Sequence, residues 1–299
     1  MKRDFLRLSD LSPREHRQLL DRAKVLKAKR QNREEVRTLA GRTLALIFEK
    51  ASTRTRLSFE AAMAQLGGSA LTLPLEGSQM ARGEPLEDTA RVVSGYCDAI
   101  VMRTHAEMRL LAMAKAATVP VINGLTDEAH PVQLLADLLT VEERVGALRG
   151  KKMAFVGDGS SNMGRSWVEA AGLFEFDLVV ASPKGYTPPA GEVTAAKRAR
   201  IVDDPKLAVE GADVVSTDVW TSMGQEQESA ARLKAFTGYC VDGTLMRLAP
   251  KAIVLHCLPA HRGEEISADV LEGPQSAVFQ QAENRMHAQK ALLELLLLS

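Results

Sequence analysis

The sequence predicts an α/β protein of two domains, each a mainly parallel sheet flanked by helices. Three observations carry this reading. Short apolar runs recur along the chain, each followed by turn chemistry and then a helical pattern. The runs are nearly continuous in Val, Ile, Leu and Ala, which is how strands covered on both faces read. The chain has 299 residues, more than one hydrophobic core usually organises, so the alternation divides into one sheet per half.

In the first half the strand-like runs are TLALIF (43–48), SALTLPL (69–75), DAIVMRT (98–104) and TVPVING (118–124). TLALIF runs into EKASTRTR, after which Leu57, Phe59, Ala61, Ala62 and Leu66 form a helical pattern. EGSQMARGEPLEDTA (76–90) is polar and glycine-bearing and reads as a mobile loop. HPVQLLADLLTVEERVG (130–146) is a long helix ending near LRGKK, which puts the domain boundary near residues 140–150. The second half repeats the habit with KKMAFVGD (151–158), FDLVVASP (176–183), ADVVSTDVW (212–220) and KAIVLHCLP (251–259). The final ALLELLLLS reads as a packed helix, far short of the roughly 20 apolar residues a membrane span needs.

Composition removes several classes of function. With 38 basic and 38 acidic side chains, no overall field draws the chain to nucleic acid or to an anionic membrane, so any anion site must be local. Cys97, Cys240 and Cys257 are odd in number and scattered, which fits a reducing cytosol and no disulfide framework. The start, MKRDFLRLSD, lacks the apolar core of a signal peptide. No fixed-period repeat and no low-complexity segment interrupts the pattern.

Ligands of open parallel sheets collect at the carboxyl ends of strands. Ser52, Thr53, Arg54 and Thr55 stand there, where a helix start offers unpaired N–H groups and a partial positive charge. Hydroxyls and a guanidinium add donors to the same phosphate oxygens. Arg54 and Arg56 lie roughly 200° apart around a helix, so Arg54 is assigned to the anion and Arg56 to an internal carboxylate. The plainer alternative is that Ser52 is an N-cap above a solvated basic face.

Pro131 suits the first helical position, which sets His130 at the cap and Gln133 in the first turn, both able to donate to a carbonyl oxygen. His130 capping only its own helix is the alternative. In AIVLHCLPAHRG, Cys257 beside His256 is a candidate base or nucleophile, and equally a small buried hydrophobe. Asp218, followed by Ser222, Met223 and Gly224, can grip an ammonium group, although TSMG also reads as a simple turn. His256, Cys257 and His261 lack a companion Cys or His cluster, so no metal is expected. VGDGSSNMGRS imitates a dinucleotide loop, but Asn162 replaces its third glycine and no acidic ribose ligand follows the next strand. Asn162 is then available to contact a carboxylate, and no cofactor is expected.

Taken in order, FEKASTRTRLSFE, HPVQLLADL, DVWTSMGQE, HCLPAHRG and AENRMHAQKALL resemble the aspartate/ornithine carbamoyltransferase family, from about residue 3 to the C-terminus. The resemblance implies a carbamoyl-phosphate-binding domain over residues 1–145, an ornithine-binding domain over 146–280, and a C-terminal helix, 281–299, returning to the first. It implies a cytoplasmic homotrimer with sites between subunits that transfers a carbamoyl group from carbamoyl phosphate to the side-chain amine of ornithine, in arginine metabolism. By motif match, Ser52, Thr53, Arg54 and Thr55 hold the phosphate. Arg103, His130 and Gln133 surround the carbamoyl group, Arg285 completes the pocket, and Gln79 reaches a neighbouring site. Asn162, Asp218, Ser222 and Met223 hold ornithine, with Cys257 and Leu258 near the reacting amine; Arg103, His130, Cys257 and Asp218 are the catalytic candidates. Where the family loop often reads Gly-Glu-Ser, this chain has GEP, and Val132 stands where Cys or Thr is common. Other acceptors, namely N-acetylornithine, putrescine or aspartate, and a non-catalytic binding protein on the same scaffold, are the competing readings. TSMGQE, and the absence of a matching lysine from GSQMARGE, weigh against aspartate.

Overall fold

The structure, a computed structural model, describes residues 2–74, 78–221 and 228–298. The chain divides into two compact units, Met1–Ala136 with Asn284–Ser299, and Asp137–Glu283. Among the described residues no helix is long and apolar enough to cross a membrane.

The first unit contains α1 (Pro13–Gln31), β1 (Thr43–Phe48), α2 (Thr53–Gln65), β2 (Ser69–Pro74), α3 (Leu86–Ser94), β3 (Ala99–Arg103), α4 (Glu107–Ala116), β4 (Val121–Leu125) and the first turns of α5 (Pro131–Arg144). Its strands pair in parallel in the order β2-β1-β3-β4. The two inner strands are apolar because both faces are covered: Leu44 to Ile47 and Ala99 to Met102 are wholly buried. Burying each Leu or Ile side chain stabilises the sheet by roughly 1.5–3 kcal/mol. At the β4 edge, Phe5 donates its N–H to the Val121 carbonyl and accepts from the Asn123 N–H, both at 2.8 Å, which covers an otherwise unpaired rim.

Residues 76–90 are not one loop. Met80–Arg82 form a 3-10 turn and Leu86 already opens α3, whereas 75–77 lie outside the described residues. Leu86, Ala90 and Val93 bury one face of α3, a spacing hidden by the polar residues between them. Pro85 sits at its N-cap with φ −56°, a conformation proline adopts without strain at a helix entry.

The second unit continues α5 and adds β5 (Lys152–Val156), α6 (Asn162–Phe174), β6 (Asp177–Ala181), α7 (Ala190–Ala196), β7 (Ala199–Val202), α8 (Pro205–Val209), β8 (Val214–Thr217), α9 (Ser229–Ala235), α10 (Gly243–Met246), β9 (Ile253–His256), α11 (Ala268–Leu271) and the start of α12 (Val278–Leu297). Its strands are again parallel, in the order β7-β6-β5-β8-β9. β7 is missing from the sequence reading because it is an edge strand, ARIV, with Arg200 and Ile201 exposed inside a charged stretch. The rest of α12 belongs to the first unit, where Lys27 donates to Asn284 Oδ1 at 2.7 Å and Arg22 to Glu294 at 2.6 and 2.9 Å. That is the expected return of the C-terminal helix.

Both sheets reverse their winding once, between β1 and β3 and between β5 and β8. Such switch points leave a crevice at the strand carboxyl ends, so one candidate site in each unit is set by topology alone.

The glycines after β5 serve close packing. A Cβ on Gly164 would lie 2.5 to 2.7 Å from the Gly159 backbone, and backbone cannot swing aside as a long side chain can. Gly164→Ala is expected to lower unfolding stability by about 2–3 kcal/mol, as overpacking does. Gly191→Ala, with nothing within 4 Å of its Cβ, should be neutral or slightly stabilising; urea titrations of both variants check this.

Candidate active site

In the first unit, the β1–β3 crevice collects the anion-binding candidates. Ser52 is the N-cap of α2, its Oγ accepting from the Thr55 N–H at 3.2 Å. Thr53 and Arg54 follow on the exposed first turn, while Thr55 is buried. Arg103 ends β3, buried and in register with Phe48 of β1. Arg56 differs from expectation: it pairs at the surface with Glu60, one turn along the same helix, at 2.9 Å. Gln79 is exposed at the start of the 3-10 turn.

His130 precedes Pro131 at the start of α5, and Gln133 lies in its first turn, both buried. Arg285 of α12 joins them. Its Nη1 donates to Gln133 Oε1 and faces His130 Nε2 at 3.4 Å, and its Nη2 donates to Thr55 Oγ1 at 2.9 Å. A guanidinium only donates, so Nε2 is the acceptor and the imidazole proton lies on Nδ1. Burial, then the positive charges of Arg285, Arg103 and Arg54, hold the His130 pKa well below its ordinary value. The imidazole is therefore neutral at physiological pH, with its Nε2 lone pair turned to Arg285.

The second unit builds its site at the β5–β8 switch and the end of β9. Asn162 opens α6, half-buried, behind the N-cap Ser161. Asp218 is buried just beyond β8, its Oδ1 accepting from the Val219 N–H at 2.8 Å and from the Cys257 thiol at 3.0 Å. Burial pushes the Asp218 carboxyl up, against the opposing pull of His256 and of those two hydrogen bonds. Cys257 and Leu258 are half-buried. Leu258 has φ +59°, unusual for a branched side chain, and its N–H donates to His256 Nδ1 at 2.9 Å. Ser222 and Met223 lie outside the described residues.

Asp218, His256 and Cys257 bring potential metal-ligand atoms within 4.8 Å of one another. Both His256 nitrogens are already committed: Nδ1 accepts from Leu258, so Nε2 carries hydrogen and donates to Glu265 Oε1 at 2.9 Å. The arrangement is suited to holding and exchanging a proton between Asp218 and Cys257.

Three supporting groups escaped the sequence reading. Glu265, wholly buried, accepts from His256 and from the His261 N–H at 2.6 Å, which braces the Cys257 loop. Glu49 donates its N–H to the Arg103 carbonyl at 2.9 Å, and its carboxylate accepts from Thr104 and Arg109. Burial pushes the Glu49 carboxyl up, but Arg109 and Thr104 outweigh it, so its pKa lies below the ordinary carboxylate value. Arg232 and Asp158 form a buried ion pair at 2.7 Å. An acid within two residues of a strand end, as in FEK and VGD, is the available signal for Glu49 and Asp158.

Residues 3–143 match the carbamoyl-P binding domain of aspartate/ornithine carbamoyltransferase, and residues 149–296 its Asp/Orn binding domain. Ornithine carbamoyltransferase of Sorangium cellulosum is 53% identical, over 98% of this chain and 96% of that one. The Halorhodospira halophila protein of the same name is 54% identical over 99% of each. Among solved structures, ornithine carbamoyltransferase from Pyrococcus furiosus superposes with a TM-score of 0.94 at 45% identity, covering 99% of this chain and 97% of that one. The Burkholderia thailandensis enzyme gives 0.92 at 46% identity, covering 99% of each.

Because folded His130 resists protonation, its stabilising contribution is complete above pH 6.5, its ordinary pKa, and is lost as pH falls from there toward its depressed value. His16, also held low by burial, acts in the same direction. Unfolding free energy should therefore drop with a slope of up to about 1.4 kcal/mol per pH unit for each group below pH 6.5. His130→Asn should flatten the curve by one proton in denaturant titrations between pH 7.5 and 5.5.

Proposed function

Because the chain belongs to the aspartate/ornithine carbamoyltransferase family, we propose that it transfers the carbamoyl group of carbamoyl phosphate to the side-chain amine of L-ornithine, giving L-citrulline and phosphate. One observation carries this reading: Arg285, Arg103 and Arg54 act together on a neutral His130 at the end of the first sheet. Such an excess of positive charge is costly unless a multiply charged anion offsets it. Carbamoyl phosphate is that anion. Ser52, Thr53, Arg54 and Thr55 take its phosphate, and Arg103, His130, Gln133 and Arg285 surround its carbamoyl group.

Ornithine's amine titrates near a lysine, about 10.4, so only about one molecule in a few thousand is neutral at pH 7. Asp218 attracts the ammonium, and the Cys257–Asp218 pair orients it and accepts its proton, while Asn162, Ser222, Met223 and Leu258 line the acceptor. The free amine then attacks the carbonyl carbon, forming a C–N bond. As the tetrahedral intermediate collapses, the C–O bond breaks with its electron pair leaving on phosphate, which takes up the second proton released by the attacking nitrogen. Arg54, Arg103, His130 and the Thr55 hydroxyl stabilise the negative charge that builds on the carbonyl and phosphate oxygens.

We further propose a homotrimer in the cytosol, with Gln79 of one copy completing a neighbour's site. In support, Gln79 is exposed, Leu57 and Leu71 leave apolar surface uncovered, and a cavity of about 620 Å³ opens beside Ser52, Thr53 and Leu57. Light scattering of the purified protein tests the assembly.

Citrulline formation assayed with carbamoyl phosphate and, separately, ornithine, N-acetylornithine, putrescine or aspartate tests the reaction; preference for another acceptor would overturn it. Arg54→Ala should raise KM for carbamoyl phosphate roughly 10- to 100-fold, the worth of a charged hydrogen bond. Cys257→Ala should cut turnover about 100-fold or more, with ornithine use impaired. Near-normal parameters for both variants would defeat these assignments.

A further inference from the structure

The buried ion pair of the second unit joins both strand-end turns of the β5–β8 crevice. Arg232, on α9, donates from Nη1 to Asp158 Oδ2 at 2.7 Å and to the Trp220 carbonyl at 2.9 Å. Asp158 uses its other oxygen to accept from the Ser160 N–H and hydroxyl, at 2.9 and 2.6 Å, which shapes the turn leading to Asn162. Trp220 lies two residues beyond Asp218 and stacks on Phe236 with ring centroids 5.6 Å apart. The guanidinium itself sits 4.9 Å above the Tyr186 ring, and its Nε donates to Glu228 at 3.3 Å. The Trp220 carbonyl and the Glu228 carboxylate are thus both bonded to one arginine. An ion pair with both side chains only 6% exposed is costly to desolvate and is weak evidence for stability alone.

We propose that Arg232 is a positioning residue for the acceptor amino acid. Through Asp158 and the Trp220 carbonyl it holds the Asn162 turn and the Asp218 turn in one register, without touching substrate. The inference rests on the ornithine reading above.

The test compares steady-state kinetics of Arg232→Met, and of the double variant Arg232→Met/Asp158→Leu, which leaves no unpaired buried charge and so guards against misfolding. Thermal melts identify which variants fold. In folded protein, KM for ornithine should rise about 10-fold or more, because small misplacements of substrate-positioning groups are costly, while KM for carbamoyl phosphate stays within about twofold. Arg232→Lys, which keeps the charge, should recover part of the loss. A lowered melting temperature with ornithine KM unchanged, or an equal rise in both KM values, would reduce the pair to a structural role and overturn the proposal. If the wild-type protein forms no citrulline at all, the reaction reading fails and the inference falls with it. Activity in wild type with an unchanged double variant defeats the clamp alone.

Discussion

Three guanidinium groups act on one imidazole at the rim of the first sheet, and most of that unit is arranged to make this tolerable. Like charges repel, most of all where they are buried, so Arg285 and Arg103 must be held by something other than their neighbours. Arg285 is held by neutral partners, Gln133, Thr55 and His130, and the imidazole gives up its own charge instead of adding to the excess. Arg103 is fixed from behind: the Glu49 N–H takes its carbonyl, and Thr104 and Arg109 hold the Glu49 carboxylate. The strand ends provide rigid places from which these side chains project, and the crevice is left positive.

Helix α12 explains how a residue so late in the chain enters that site. Its stretch from Asn284 onward carries polar side chains buried within the first unit, several of them bonded to partners earlier in the chain. Asn284 meets Lys27, Glu294 meets Arg22 and Thr38, and Lys290 meets Gln65. Burial, together with Arg30, lowers the Lys290 pKa to about 8. Buried hydrogen bonds of this kind set the register of a helix more sharply than apolar contacts do, because a slip leaves donors unsatisfied. Register, in turn, is what aims Arg285.

The second unit solves a different problem with the same sheet type. Its candidate site centres on Asp218 and the Cys257 thiol, and it is braced by His256, locked between Leu258 and Glu265. Arg232 and Asp158 add a second brace at the turns.

Much of this was written locally. Strand runs covered on both faces are continuous and apolar, so eight of the strands, the two-sheet plan and the long α5 could be read from the chain, whereas β7, half-exposed and charged, could not. Ser52 to Thr55 and His130 to Gln133 were legible for the same reason: a helix start is a short-range event, and capping chemistry shows within a few residues. Similarity to a family supplied Arg103 and Arg285, whose separation from the other groups gives spacing rules no purchase. The sequence alone therefore determined which segments become strands and helices and where their reactive ends fall. Only the tertiary structure decided that His130 is neutral, that the Cys257 thiol bonds to Asp218, and that Glu49, Glu265 and Arg232 act as braces, because a side chain's protonation and orientation depend on burial and on partners that folding brings from far along the chain.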